Sequence, residues 1–201
     1  MAEGYLRQSP LASLGLAARA ASEPGSAGVR MGERDRVGLA NLRGDPTDTL
    51  FLERARQALG TALPVAPNTV SEGGVHRVLW LGPNEWLIAS ADGASAAPAL
   101  AQAVAGLHAA ATDLSDARVA LTLAGPKARD VIAKGSPLDL HPRAFGPMRC
   151  AQTRLAKIAV VIDQRDDAPS YDLYALRSHA RYLWRWLEDA AREYAVAVVR
   201  G

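Results

Sequence analysis

Four histidines, one cysteine and a scatter of carboxylates are the residues from which this chain could build chemistry. His76, His108, His141 and His179 stand at no spacing that pairs two imidazoles as ligands. No Asp or Glu completes a metal-binding set with them. His141 has a carboxylate two residues away, in Asp139-Leu140-His141. A general base needs such a partner in reach, but the flanking Pro137 and Pro142 describe a turn packed by its own hydrogen bonds. Asp113 and Asp116 resemble a carboxylate pair. Asp113-Leu114-Ser115-Asp116 is equally turn and cap chemistry, and no neighbour in sequence would shift either pKa. Asp163, Asp166 and Asp167 read as a solvated polar loop. Cys150 is the only cysteine, so no intrachain disulfide and no cysteine-based zinc site forms. A reactive thiol needs a base or a helix N-terminus beside it. Arg149 alone is adjacent, and Cys150 reads as structural. There is no Gly-x-Ser-x-Gly elbow, Gly-x-Gly-x-x-Gly fingerprint or Walker loop. No catalytic, cofactor-binding or metal-ligating residue is therefore assigned. A pterin slot would need an apolar pocket with a carboxylate. Trp80, Trp86 and Glu85 have the right types for one, although both tryptophans fall at strand positions that face a core.

The elements around these residues follow from periodicity. Val37 to Leu42 alternates as a strand, and Arg43-Gly44 turns it. Asp45 is placed as N-cap of a helix with Pro46 at its first position and Phe51, Ala55, Ala58 and Leu59 on one face. Gly60 closes it. Val75 to Leu81 and Trp86 to Ala89 form a hairpin across Gly82-Pro83-Asn84-Glu85. A second helix runs from about Ala96. The order then repeats. Strand Val119 to Leu123 passes through Gly125-Pro126 into a helix that ends at Gly135, with Ala128, Val131 and Ile132 as its apolar stripe. Strands follow near Cys150–Leu155, Ala159–Ile162 and Tyr171–Leu176. A last helix from Ser178 carries Leu183, Trp186, Leu187, Ala190, Ala191 and Tyr194 inward. Val196 to Val199 is a final strand. The fold class is α+β, with two ferredoxin-like β-α-β-β-α halves of antiparallel sheet. Residues 31–201 form one domain whose halves span about 31–110 and 111–201.

Residues 1–30 are rich in Ala, Ser, Gly and Pro and are read as a flexible N-terminal arm. Leu6, Leu11, Leu14 and Leu16 are its large apolar groups. Either the arm is disordered, or its leucines dock on a partner. Trp184, at the flank of the last helix's stripe beside Tyr182, is the other candidate anchor. Leu11, Leu14, Leu16 and Trp184 are thus the candidate partner-interface residues. Apolar residues make up 49% of the 201 residues and the net charge is +2, with no basic block. That argues against a nucleic-acid-binding stripe. No apolar run approaches the ~20 residues of a membrane span. A lone cysteine and no convincing signal peptide point to a reducing, cytoplasmic setting.

Longer motifs carry a resemblance. They are Asp113-Leu114-Ser115-Asp116-Ala117-Arg118, Ala124-Gly125-Pro126-Lys127-Ala128 with Lys134-Gly135, Pro137-Leu138-Asp139-Leu140-His141-Pro142-Arg143-Ala144-Phe145, and Cys150-Ala151-Gln152-Thr153. With Leu79-Trp80-Leu81-Gly82-Pro83-Asn84-Glu85-Trp86-Leu87-Ile88 upstream and Tyr171-Asp172-Leu173-Tyr174 downstream, the chain from about Val37 onward resembles the gamma subunit family of heterotetrameric sarcosine oxidase. Pro137 to Phe145 is the specific part. The family pattern has a glycine just before the cysteine, where this chain has Arg149.

The resemblance implies a non-catalytic subunit that assembles with alpha, beta and delta chains and stabilises them. It implies that the assembly oxidises sarcosine to glycine, yields hydrogen peroxide and passes the one-carbon unit to tetrahydrofolate or releases formaldehyde. FAD, FMN, NAD and zinc are expected in the other subunits and none in this chain. The implied fold is that of the folate-binding domains of aminomethyltransferase, with the two halves facing each other. The alternative is a stand-alone folate-binding or aminomethyltransferase-like protein. The related folate-binding maintenance proteins carry a Lys-Gly-Cys-Tyr-x-Gly-Gln signature, where this chain reads Lys134-Gly135-Ser136-Pro137.

Overall fold

The computed structural model describes residues 8–20, 27–34 and 37–200. Its strands are β1 (Val29–Glu33), β2 (Gly38–Arg43), β3 (Val70–Gly73), β4 (His76–Gly82), β5 (Glu85–Ser90), β6 (Ala110–Asp113), β7 (Arg118–Ala124), β8 (Arg149–Leu155), β9 (Ile158–Asp166), β10 (Ser170–Leu176) and β11 (Val196–Val198). The helices are α1 (Leu16–Arg19), α2 (Thr49–Leu59), α3 (Ala97–Ala103), α4 (Ala128–Ala133) and α5 (Ala180–Ala191).

The strands form two sheets, ordered β3-β4-β5-β2-β6 and β8-β9-β10-β7-β1-β11. The two orders correspond strand for strand, apart from one insertion. β6 pairs antiparallel with β2. Its counterpart β11 is separated from β7 by β1, which is antiparallel to β7 and parallel to β11. The N-terminal strand is thus wedged into the sheet of the C-terminal half, so the halves are not contiguous in sequence. Gly32 fits this slot because a Cβ there would lie 2.9 Å from both Thr122 Oγ1 and the Val199 carbonyl.

Both sheets are buried on both faces. Ala40, Leu42, Val78, Trp86 and Ile88 pack on α2 and α3. Leu121, Leu123, Ile162, Leu173 and Ala175 pack on α4 and α5. The opposite faces meet through Leu39, Leu79, Leu81 and Leu87 of one sheet and Ala120, Cys150, Val161 and Tyr174 of the other. The result is four layers, helices outside and sheets face to face. Burial on two faces explains why these strands carry near-continuous apolar runs.

Local chemistry sets the ends. α2 is capped by Asp48 rather than Asp45. The Asp48 side chain accepts from the N–H groups of Leu50 at 2.9 Å and Phe51 at 3.2 Å. Asp45 instead closes a turn by accepting from Thr47 N–H at 2.8 Å, so Pro46 precedes the helix. Gly60 ends α2 in the left-handed conformation at φ 68°. Gly135 is required by packing, since a Cβ would meet the Trp186 ring at 2.4 Å.

Residues 8–20 lie against the chain's own C-terminal half. Leu11 is buried in the core beside α5, and Leu14 and Leu16 pack half-buried on it. Ser9 donates to the Glu33 carboxylate at 2.6 Å, and Arg19 pairs with Glu188. The leucine at position 11 therefore anchors the arm to its own domain. Leu6 lies outside the described residues.

Candidate functional site: a charged network between the sheets

A strand that faces another sheet normally offers apolar side chains to it. Several inward positions here break that rule, Arg77 and Asp163 foremost. Arg77 on β4 and Asp163 on β9 meet across the layer between the sheets. The guanidinium Nε donates to Asp163 Oδ2 at 2.6 Å and Nη2 to Oδ1 at 2.7 Å. Nη2 also donates to the Gln164 carbonyl at 3.1 Å, and Nη1 to Glu72 at 2.5 Å. The Asp163 side chain is fully buried and that of Arg77 is 5% exposed. Both oxygens accept from the fork, which is the geometry of a carboxylate–guanidinium pair. Burial pushes the Asp163 carboxyl up, and Arg77 opposes it. For Arg77, burial works against the charge, but Asp163 and then Glu72 outweigh it and its pKa rises.

A second pair adjoins the first. Arg34, just after β1, donates to Asp172 of β10 at 2.8 Å. Arg165 bridges both buried acids, 3.8 Å from Asp163 and 3.7 Å from Asp172. Arg34, Glu72, His76, Arg165, Asp172 and Tyr174 line a cavity of about 360 Å³ at this end of the inter-sheet layer. The Arg77–Asp163 pair holds one sheet against the other, while Arg34, Arg165 and Asp172 extend the network along the six-stranded sheet.

The residues singled out from sequence do not converge here. His76 lines the cavity and sits 3.0 Å from Ser90 Oγ. His108 is exposed. His141 forms a local turn: its N–H donates to Asp139 at 2.9 Å and its Nδ1 accepts from Arg143 N–H at 3.2 Å. His179 precedes α5. Among the described residues no group of His, Cys, Asp and Glu is placed to hold a metal ion. Asp113 accepts from Ser115 N–H at 2.8 Å, in a turn. The expectation that Asp163 lies in a solvated loop is corrected, because β9 runs on through Asp166. Trp86 and Glu85 face opposite sides of β5. Trp86 is buried against α2 with its indole N–H on the Pro64 carbonyl at 2.8 Å, while Glu85 binds Asn41 at 2.9 Å and Arg43 at 2.8 Å. Trp80 pairs opposite Trp86 on the same face of the sheet, so the two tryptophans share no slot with Glu85. Trp184 is also corrected: it is completely buried. The inward face of α5 is rotated toward Leu183, Trp184 and Leu187, leaving Trp186 half-buried over Gly135.

Cys150 lies in the layer between the sheets, its thiol near the carbonyls of Trp80 at 3.4 Å and Thr69 at 3.5 Å. Burial, with the nearby Asp163 charge, pushes it up to about 12. The unfolded thiol sits near about 8.5. The folded state therefore keeps its proton where the unfolded state has lost it. This contribution to stability is full below about pH 8.5 and is lost as pH rises toward about 12. At pH 8, a thiol reagent should label the native chain on the order of a thousandfold more slowly than the urea-unfolded chain. Equal rates would place Cys150 at the surface.

The network's signal in the sequence was faint. Arg77 stands at an inward position of an apolar strand, and Asp163 directly follows Val160-Val161-Ile162. Pairing them required the topology.

Comparison with known proteins agrees with the architecture. The family model described as "Sarcosine oxidase, gamma subunit family" matches residues 43–193. The sarcosine oxidase subunit gamma of Corynebacterium sp. (strain U-96) is 36% identical over 196 residues, covering 96% of this chain and 94% of its own. That of an Arthrobacter species is 39% identical over 145 residues, covering 71% and 70%. Among solved structures, a chain of the heterotetrameric sarcosine oxidase from Corynebacterium sp. U-96, in complex with pyrrole 2-carboxylate, superposes with a TM-score of 0.82 at 32% identity. The match covers 95% of this chain and 97% of that one. The glycine cleavage system aminomethyltransferase T from Bartonella henselae superposes with a TM-score of 0.68 at 18% identity, covering 96% of this chain and 59% of that one. The second likeness is one of fold alone.

Proposed function

We propose, for a chain that belongs to the sarcosine oxidase gamma subunit family, the role of a non-catalytic gamma subunit in a heterotetramer with alpha, beta and delta chains. The assembly oxidises the N-methyl group of sarcosine, with oxygen reduced to hydrogen peroxide, glycine released, and the carbon leaving as formaldehyde or as 5,10-methylenetetrahydrofolate. The flavins FAD and FMN, NAD and zinc belong to the other chains in this reading. This chain supplies contact surface and rigidity. The observation that carries the proposal is likeness over nearly the whole length to a chain of a four-chain enzyme. The chain's interior agrees with it physically, since the buried Arg77–Asp163 pair serves to fix sheet on sheet.

The stand-alone folate reading has less support. The aminomethyltransferase likeness carries the fold only, and the Glu85 carboxylate does not converge with Trp80 and Trp86. In this chain Asp163 and Asp172, which would suit a ring N–H edge, are taken by Arg77 and Arg34.

Reconstitution tests the role. Alpha, beta and delta chains prepared without this subunit should lose sarcosine-dependent peroxide production faster on warming than the four-chain enzyme, and adding the subunit should restore the half-life. Identical activity and heat stability with and without it would overturn the proposal.

A further inference from the structure

The subunit reading leaves open which surface docks on the other chains, and one surface has a chemistry that selects its partner. β10 is buried along Tyr171 to Ala175, yet its last residue, Leu176, is 47% exposed. Leu176 opens into a surface groove of about 550 Å³ lined by Pro10, Ala117, Leu176, Arg177, Ser178 and Arg181. Arg181 and Arg185 follow one another at one-turn spacing along α5, with Arg177 just before the helix.

These cations have little opposing charge. Among the described residues Arg181 makes no ion pair, and Arg177 donates to the neutral carbonyl of Gln8. Arg185 reaches Glu188 only at 3.7 Å while its side chain is 67% exposed, and Glu188 is already paired with Arg19. The first turn of α5 contains no acidic residue and no side-chain cap. Asp116, the acid beside Ala117, is engaged in an interaction of its own. Guanidinium groups gathered this way repel one another, and a carboxylate from outside relieves the repulsion.

We infer that this groove docks an extended acidic segment of another subunit of the complex. This inference rests on the subunit reading. An apolar side chain of that segment covers Leu176, and two carboxylates meet Arg181 and Arg185. One helical turn is about 5.4 Å, close to the ~6.6 Å between alternate residues of an extended strand. The segment is therefore expected to carry acids two residues apart. Arginine forks favour carboxylates bidentately, which gives the contact direction as well as charge.

The test uses the co-expressed four-chain complex. In R181E/R185E, retention of this subunit on the other three should fall about tenfold or more at low salt. Retention of the unaltered subunit should weaken as salt rises. The isolated variant should melt as the unaltered chain does, since both side chains are exposed. Unchanged retention of R181E/R185E would overturn the inference while leaving the subunit reading intact. If the unaltered subunit itself is not retained, the subunit reading fails and the inference with it. A photo-crosslinking residue in place of Ser178 identifies the occupant. Adducts to an acidic stretch of another subunit are expected, and adducts confined to residues 1–7 of the same chain would overturn the inference.

Discussion

Asp163→Ala should cost about 3–5 kcal/mol of folding stability, because it leaves Arg77 buried without its main counter-charge. Glu72 remains beside Arg77, but its side chain is 54% exposed and its charge is partly screened by water. For a chain of this length, each kcal/mol moves the melting temperature by roughly 2–4 °C. A fall of roughly 6–20 °C is expected, read alongside a lower urea midpoint. Arg77→Met should be comparably damaging, since it strands the carboxylate. The double variant Arg77→Met/Asp163→Leu removes both charges and should be markedly more stable than either single change. A single-variant cost under about 1 kcal/mol would mean the pair behaves like a surface ion pair.

Trp184→Ala is the second large effect, about 3–5 kcal/mol through the cavity it opens between α5 and the sheet. Trp184→Phe keeps much of the volume and should cost less. The pairing separates core from interface. A core tryptophan lowers the stability of the isolated chain when removed. An interface tryptophan would leave the isolated chain stable and loosen only its assembly. With no exposed surface, Trp184 should behave in the first way.

Much of the architecture was readable because the strands are apolar on both faces and the helices on one. β2, β4, β5, β7, β9 and β10 all stand out as apolar stretches. β1, β3 and β6 do not. Val70-Ser71-Glu72-Gly73 and Ala110-Ala111-Thr112-Asp113 have too few large side chains to declare a strand, and both lie at sheet edges. β1 follows a run of small residues and pairs with strands far along the chain. The helix start at Asp48 was confused with Asp45 because Asp45-Pro46 is equally good capping chemistry, and only the hydrogen bonds distinguish them. Asp163 looked like the end of a strand because a single acid after an apolar run usually is one. Its partner lies 86 residues away, beyond any local pattern. Trp184 was misplaced by one helical position, since a stripe that packs on both a sheet and a neighbouring helix is broad. By contrast, Pro137 to Phe145 identified the family without help from the fold, because a nine-residue run of such unusual composition seldom arises twice.

The most direct measurement is the native mass and visible spectrum of what a tagged form of this chain brings out of its own host. A yellow, flavin-bearing assembly containing one copy of this chain with three others is the predicted result, and the chain purified alone should be colourless. A colourless chain that recruits no other subunit would contradict the account.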